Sequence, residues 1–225
     1  MNTPDPETSC VVIQGPIHDF ERMDVSWGDH NKIYSTWHGE GQVQPSRQTD
    51  KVIYNKKPPN PGNKNINLQT ESSLAGINLA FSMGYEFCIK WRSDYVPLFC
   101  DKFFNTLDRD ALNFIAWSSH RGGYFVDYFF AGPTALMREI FIYTQEINRN
   151  CNSNVFPEKR ITDAVFTVKE KHDIKINYLM NHLNEETDCV FIRPGKDFDT
   201  STLVWNKISD WNNDVTRNNQ WAIRK

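Results

Sequence analysis

Apolar residues along this chain fall into short continuous runs that alternate with longer, helically spaced ones, the pattern expected of buried parallel strands joined through helices. Cys10-Val11-Val12-Ile13-Gln14 is such a run, closed by Gly15-Pro16, and predicts a first strand entering the loop Gln14-Gly15-Pro16-Ile17. Residues 32–37, followed by His38-Gly39-Glu40-Gly41, and residues 51–55 predict the second and third strands. Residues 56–64 are rich in Pro, Asn and Lys, so an irregular loop is expected there, long enough to suggest a functional role. Over residues 67–83, Leu68, Leu74, Ile77, Leu79, Ala80 and Phe81 suit a partly buried helix stopped by Gly84.

The fourth strand, 87–91, runs into Arg92-Ser93-Asp94. Beyond it the pattern predicts a short helix over 101–107, strands over 113–118 and 124–130, and a helix over 133–147. A polar loop, 148–154, precedes a helix that Pro157 opens and whose apolar face is Ile161, Ala164, Val165 and Val168. Strands over 174–178 and 190–193 complete the core, and the polar tail 196–225, with Trp205, Trp211 and Trp221, is expected to wrap the surface or cap a subunit contact. Strand and helix alternate over the first hundred residues, which favours an α/β fold with a mostly parallel central sheet and helices on both faces.

With 225 residues, 39% apolar and 13% aromatic, the chain can bury one sizeable core, and a single domain over 1–225 is expected. A net charge of −3 and a pI near 6.1 leave no basic footprint for nucleic acid. The start, Met1-Asn2-Thr3-Pro4-Asp5-Pro6-Glu7, lacks a leader pattern, and no apolar run approaches the roughly 20 residues of a membrane span, so a cytoplasmic protein is expected. Five scattered cysteines suggest neither a disulfide framework nor a zinc site, and the six histidines form no close-spaced pair.

Gly15 stands alone, without a GxGxxG or GxxxxGK[ST] pattern, which disfavours a P-loop kinase or a dehydrogenase. The chemistry is carried instead by Ile89-Lys90-Trp91-Arg92-Ser93-Asp94, a strand that delivers one carboxylate at its end. Open α/β sheets bind ligands there, and a hard oxygen donor suits Mg²⁺ or Mn²⁺ shared with a phosphorylated substrate, with Asp94 as the ligand. Arg92 can neutralise a phosphate or pair with Asp94 or Asp101.

Taken in order, Val12-Ile13-Gln14-Gly15-Pro16-Ile17, Ser35-Thr36-Trp37-His38-Gly39-Glu40, residues 65–69 and Ile89-Lys90-Trp91-Arg92-Ser93-Asp94 resemble the signature of the WavE-type lipopolysaccharide-synthesis proteins, to which glycosyltransferase domains of large algal viruses are related. The resemblance implies a GT-A-like, Rossmann-like fold, with a nucleotide-sugar half over 9–100 and an acceptor and catalytic half over 101–195. It also implies a nucleotide-diphosphate sugar donor, a glycan acceptor, and a divalent metal held by a DxD-type motif. Arg92-Ser93-Asp94 departs from DxD by losing the first carboxylate.

By position, the same similarity places Gln14, Gly15, Pro16, Ser35, Thr36 and Trp37 around the base and ribose, and Asn67, Gln69 and Ser73 toward the donor nucleotide. Arg92 and Ser93 would join them, and His182, on a late loop, would be a further metal ligand beside Asp94. The helix opened by Pro157 is where such enzymes begin the segment bearing a catalytic carboxylate. Glu158 is the first candidate for the general base and Asp127 the second; a Glu near a helix start is also favoured by the helix dipole alone. His120, Arg121, Gly122 and Gly123 would form an acceptor-side loop, with Trp117, Tyr124 and Tyr128 available to stack on a sugar ring.

The expected reaction is transfer of a glucose, rhamnose or similar sugar, with UDP as the expected carrier and inversion at the anomeric carbon. Two rivals remain open: a sugar-1-phosphate nucleotidyltransferase, which ordinarily has a glycine-rich basic loop after strand one, and a non-catalytic glycan-binding or scaffolding domain.

Overall fold

The computed structural model describes residues 2–17, 20–94, 96–97, 104–114, 117–118, 124–125, 127, 129–150, 156–179, 191–192 and 204–205. Its strands are β1 (Ser9–Gln14), β2 (Asn31–Trp37), β3 (Lys51–Asn55), β4 (Phe87–Arg92), β5 (Val96–Pro97), β6 (Ala111–Phe114), β7 (Trp117–Ser118), β8 (Tyr124–Phe125), β9 (Phe129–Pro133), β10 (Lys175–Tyr178), β11 (Phe191–Ile192) and β12 (Val204–Trp205). Seven of them form one sheet in the order β10-β6-β9-β4-β1-β2-β3. Only β9 runs antiparallel to its neighbours, β4 and β6, so the fold is a mixed, mostly parallel, Rossmann-like α/β fold. β5, β11 and β12 make a small second sheet, and β7 pairs with β8.

Every position of β1 is buried, because both faces of the central sheet are covered. On one face Cys10, Val12, Ile33, Cys88 and Phe130 pack against the helices α2 (Ile66–Ser82), α3 (Thr134–Asn150) and α4 (Pro157–His172). The other face is covered by α1 (Phe20–Ser26), where Phe20 meets Tyr34 at 5.1 Å between ring centroids and Trp27, just beyond the helix, meets Trp91 at 5.3 Å. Burying a large side chain of this kind is worth about 2 kcal/mol or more. Gly76 lets α2 lie almost on the sheet, since a Cβ there would stand 2.3 Å from Val12 Cγ1.

The apolar pattern places most elements within a residue or two. Strand 51–55 matches β3, and α4 begins at Pro157 as expected. The expected strand 113–118 is two strands, β6 and β7, and 124–130 likewise divides into β8 and the start of β9. Pro133 ends β9 opposite Phe87 rather than opening α3, and α3 runs on to Asn150 through residues expected in a loop. α1 was not anticipated, although Phe20, Met23 and Trp27 carry the i, i+3, i+7 spacing of its inner face. Of the expected helix 101–107, residues 104–107 are described, with Phe104 and Leu107 buried. Of the tail 196–225, only Val204–Trp205 is described. Among the described residues, no helix is long and apolar enough to cross a membrane.

The strand order reverses at β1: β2 and β3 lie to one side of it and β4 to the other. A crevice at the carboxyl ends of strands flanking such a switch point is where open α/β sheets take their ligands. Here the two strand ends are fastened together. Ser93 donates its backbone N–H to Gln14 O at 2.9 Å and its hydroxyl to Pro16 O at 2.6 Å, while Gly15 N–H reaches Ser35 O at 3.1 Å. Gly15 has φ 112°, and a Cβ on it would stand 2.8 Å from Ser93 Oγ, so both its backbone conformation and this close approach call for glycine.

Candidate functional site

A cleft of about 440 Å³ opens at this switch point. Its walls come from the loop after β1 (Gln14, Gly15, Pro16), the end of β2 with the loop after it (Trp37, Glu40), the loop between β3 and α2 (Lys57, Lys64, Asn65), and the first turn of α2 (Leu68, Gln69). The end of β4 (Arg92, Ser93, Asp94), Asp127 and the start of α4 (Pro157, Glu158) close the other side. Gln14 is 7% exposed, and its Oε1 has no hydrogen-bond partner among the described residues. A buried carbonyl left unpaired in a cleft wall is a costly arrangement unless a ligand donor completes it.

Arg92 organises the β4 side. Its Nε and Nη2 donate to the two carboxylate oxygens of Asp94 at 2.9 and 2.6 Å, and its Nη1 reaches both oxygens of Asp127 at 3.1 Å. Gln69 Nε2 donates to Asp127 Oδ2 at 2.5 Å, and the buried Lys90 ammonium donates to the Asp127 backbone carbonyl. Asp127 is thus held by side chains from α2 and β4. Burial alone would raise its pKa, but the charges of Arg92 and Lys90 and the bond from Gln69 outweigh that, holding the carboxyl below its ordinary range. Lys90 is driven the other way: burial lowers its pKa to about 7, against the opposing pull of Asp127.

Glu158 differs from Asp127 in environment, and its pKa moves in the opposite direction. Burial first, and the neighbouring Asp127 charge second, push its pKa above the ordinary glutamate value. Two carboxyls in one cleft with pKa values driven apart are the usual basis for dividing acid–base roles. Asp127 is anchored by Arg92 and Gln69, which favour its ionised form, whereas the surroundings of Glu158 favour its protonated form.

Of the candidates drawn from the sequence, Gln14, Gly15, Pro16, Trp37, Gln69, Arg92, Ser93, Asp94, Asp127 and Glu158 all line this one cleft. Four others do not. Ser35 donates to Ser72 O at 2.6 Å and accepts from Asn55 at 2.9 Å, tying α2 to the sheet. Thr36, next along β2, is fully buried and turned to the opposite face by strand alternation. Asn67 donates to Asn60 O at 3.1 Å and borders a separate small cavity with Thr70 and Glu71. Ser73 lies one turn deeper along α2 than Gln69 and is fully buried. His182, the loop His120-Arg121-Gly122-Gly123, Tyr128 and the Trp117 side chain lie outside the described residues. Tyr124 is buried and packs edge-on against Phe156 at 4.8 Å, a core contact rather than an open sugar platform.

The residues present do not fit the expected Mn²⁺ or Mg²⁺ at Asp94. Both Asp94 oxygens accept from Arg92, whose guanidinium brings a positive charge to where a cation would bind. Among the described residues, no three His, Cys, Asp or Glu side chains gather as a ligand set. The sequence reading also passed over Lys57, Lys64, Asn65 and Lys90. The first three sit in or beside the lysine-bearing loop whose length had suggested a role, but loop length names no residue.

No protein-family model matches the chain, and the search of curated proteins finds no match.

Proposed function

We propose that the chain is a glycosyltransferase domain of GT-A-like fold, moving a hexose or deoxyhexose from a nucleoside-diphosphate carrier to a hydroxyl of a glycan acceptor. The observation that carries this reading is the pairing of Asp127 and Glu158, two carboxyls with opposed pKa shifts, in a cleft at the β1/β4 switch point. Such a crevice suits a nucleotide, and fixed carboxylates suit a polyhydroxylated sugar. The unpaired Gln14 carbonyl suits an N–H of the base. The ordered resemblance of residues 12–17, 35–40, 65–69 and 89–94 to WavE-type proteins adds a surface glycan as the expected product.

In the reaction, Glu158 accepts the proton of the acceptor hydroxyl as its oxygen bonds to the anomeric carbon. The bond from that carbon to the phosphate oxygen breaks, and its electron pair leaves with the nucleoside diphosphate. Asp127 supplies a fixed negative charge beside the oxocarbenium-like carbon. A single displacement inverts the anomeric centre.

The test is release of nucleoside diphosphate from a panel of UDP-, GDP- and TDP-sugars by the wild-type chain and by Glu158→Gln. Turnover that falls at least a hundredfold in the variant, with nucleotide binding retained, supports the reading. A chain that turns over no donor, with or without Mn²⁺, sinks it.

A further inference from the structure

Charge in the cleft is unevenly placed. On the β4 side Arg92 is engaged by both Asp94 and Asp127, and Glu158 lies close enough to feel Asp127, so carboxylate predominates. The loop between β3 and α2 delivers Lys57 and Lys64, and Lys64 comes close enough to Glu158 to act on its charge. Lys57 is paired with Glu40 at 2.8 Å, whereas Lys64 makes no hydrogen bond to a carboxylate among the described residues and stands 6.0 Å from the centroid of the Phe156 ring.

Lys64 and Asn65 both adopt the left-handed conformation, with φ of 50° and 63°, and Asn65 leads directly into the 17-residue α2 without capping it by its side chain. The first donors of α2 are taken by the loop itself, Ile66 N–H by Asn63 O and Asn67 N–H by Pro61 O at 3.0 Å, which fixes the backbone that carries Lys64. Gln14 gives an independent indication that this cleft holds a ligand, because its buried Oε1 lacks a donor.

We propose that Lys64 and Lys57 form the subsite for the donor diphosphate, and that the diphosphate binds there without a divalent metal. This rests on the donor reading above and fixes how the donor lies. Phosphate oxygens accept from the two ammonium groups, and sugar hydroxyls donate to Asp94 and Asp127. The reverse orientation would set phosphate against carboxylate. As the anomeric carbon–oxygen bond breaks, the electron pair goes to the diphosphate oxygen, and Lys64 neutralises the charge that develops.

Isothermal titration of the full chain with UDP, GDP and inorganic pyrophosphate, in EDTA and again with Mn²⁺, tests this. The expected result is nucleoside diphosphate binding that persists in EDTA and is competed by pyrophosphate. Affinity should fall roughly tenfold or more in Lys64→Met, fall less in Lys57→Met, and be largely kept in Lys64→Arg. Circular dichroism melts of each variant check that the fold is kept. Binding that appears only with Mn²⁺ and is indifferent to Lys64→Met overturns the subsite while leaving the donor reading intact. A chain that binds no nucleoside diphosphate under either condition overturns both.

Discussion

Arg92 holds Asp127 with Nη1 at 3.1 Å from each carboxylate oxygen, joining a residue at the end of β4 to one 35 positions later in the chain. The Asp127 side chain is 3% exposed and that of Arg92 24%, so the pair is screened little by water. Removing one partner of a buried pair leaves an uncompensated charge, which costs about 3–5 kcal/mol. Arg92→Met should therefore lower stability by about that range in chemical denaturation, and Arg92→Lys should recover only part, because an ammonium cannot bridge Asp94 and Asp127 as the fork does. Stability unchanged in Arg92→Met would show that the pair holds nothing together.

Glu158 is expected to set the acid limb of the activity profile. Its pKa is raised by burial and then by the Asp127 charge, so kcat/KM should fall with decreasing pH at a point above the ordinary glutamate range. Replacing Asp127 with Asn removes the second cause and leaves the Arg92 charge to act on Glu158, so the limb should move to lower pH in Asp127→Asn even as activity drops. A limb that stays in place would assign the titration to another group.

Lys90 makes stability depend on pH in the alkaline range. Its folded pKa is lowered from 10.5 to about 7, so between those values the unfolded chain binds more protons than the folded one, and stability rises with pH across that window. The cost of burying the ammonium is present in full below pH 7 and is relieved by about 4 kcal/mol at most by pH 10. Wild type minus Lys90→Met, compared in urea denaturation from pH 6 to 10, should isolate this slope. Parallel curves for the two proteins would mean that Lys90 keeps an ordinary pKa despite its burial. Arg92, Asp127, Asp94 and Glu158 all act on this amine, so the comparison requires them intact.

Strand ends were legible because local pattern decides them: an apolar run closed by Gly15-Pro16 and another closed by Arg92-Ser93-Asp94 needed no tertiary knowledge. Polar residues at the start of α2 were harder to separate. Asn67, Gln69 and Ser73 read alike as sequence, but Asn67 lies about 200° around the helix from Gln69, and Ser73 lies a turn deeper. Asp127 was legible as a second candidate base within the expected strand 124–130, but not its anchoring, which comes from bonds spanning 35 and 58 positions. Lys64 depended on a left-handed backbone that its residue type does not favour. The topology with β9 antiparallel depended on Phe129–Pro133 entering between β4 and β6, and pairing of that range leaves no local mark.

Lys64 and Asn65 also offer a separation of stability from function. Consecutive non-glycine residues in the left-handed region cost about 1 kcal/mol or more each, and strain of this kind persists at ligand sites. Glycine adopts that conformation freely, although it also enlarges the entropy of the unfolded chain. Asn65→Gly exchanges the side chain of a residue that makes no capping bond, so relief should exceed the entropic loss and raise the melting temperature by a degree or two, with nucleotide affinity little changed. Lys64→Gly should give a similar gain in stability but lose nucleoside-diphosphate affinity roughly tenfold, because it removes the ammonium as well as the strain. If Lys64→Gly lowers the melting temperature and leaves affinity untouched, the loop conformation is set by packing and Lys64 is not part of the ligand site.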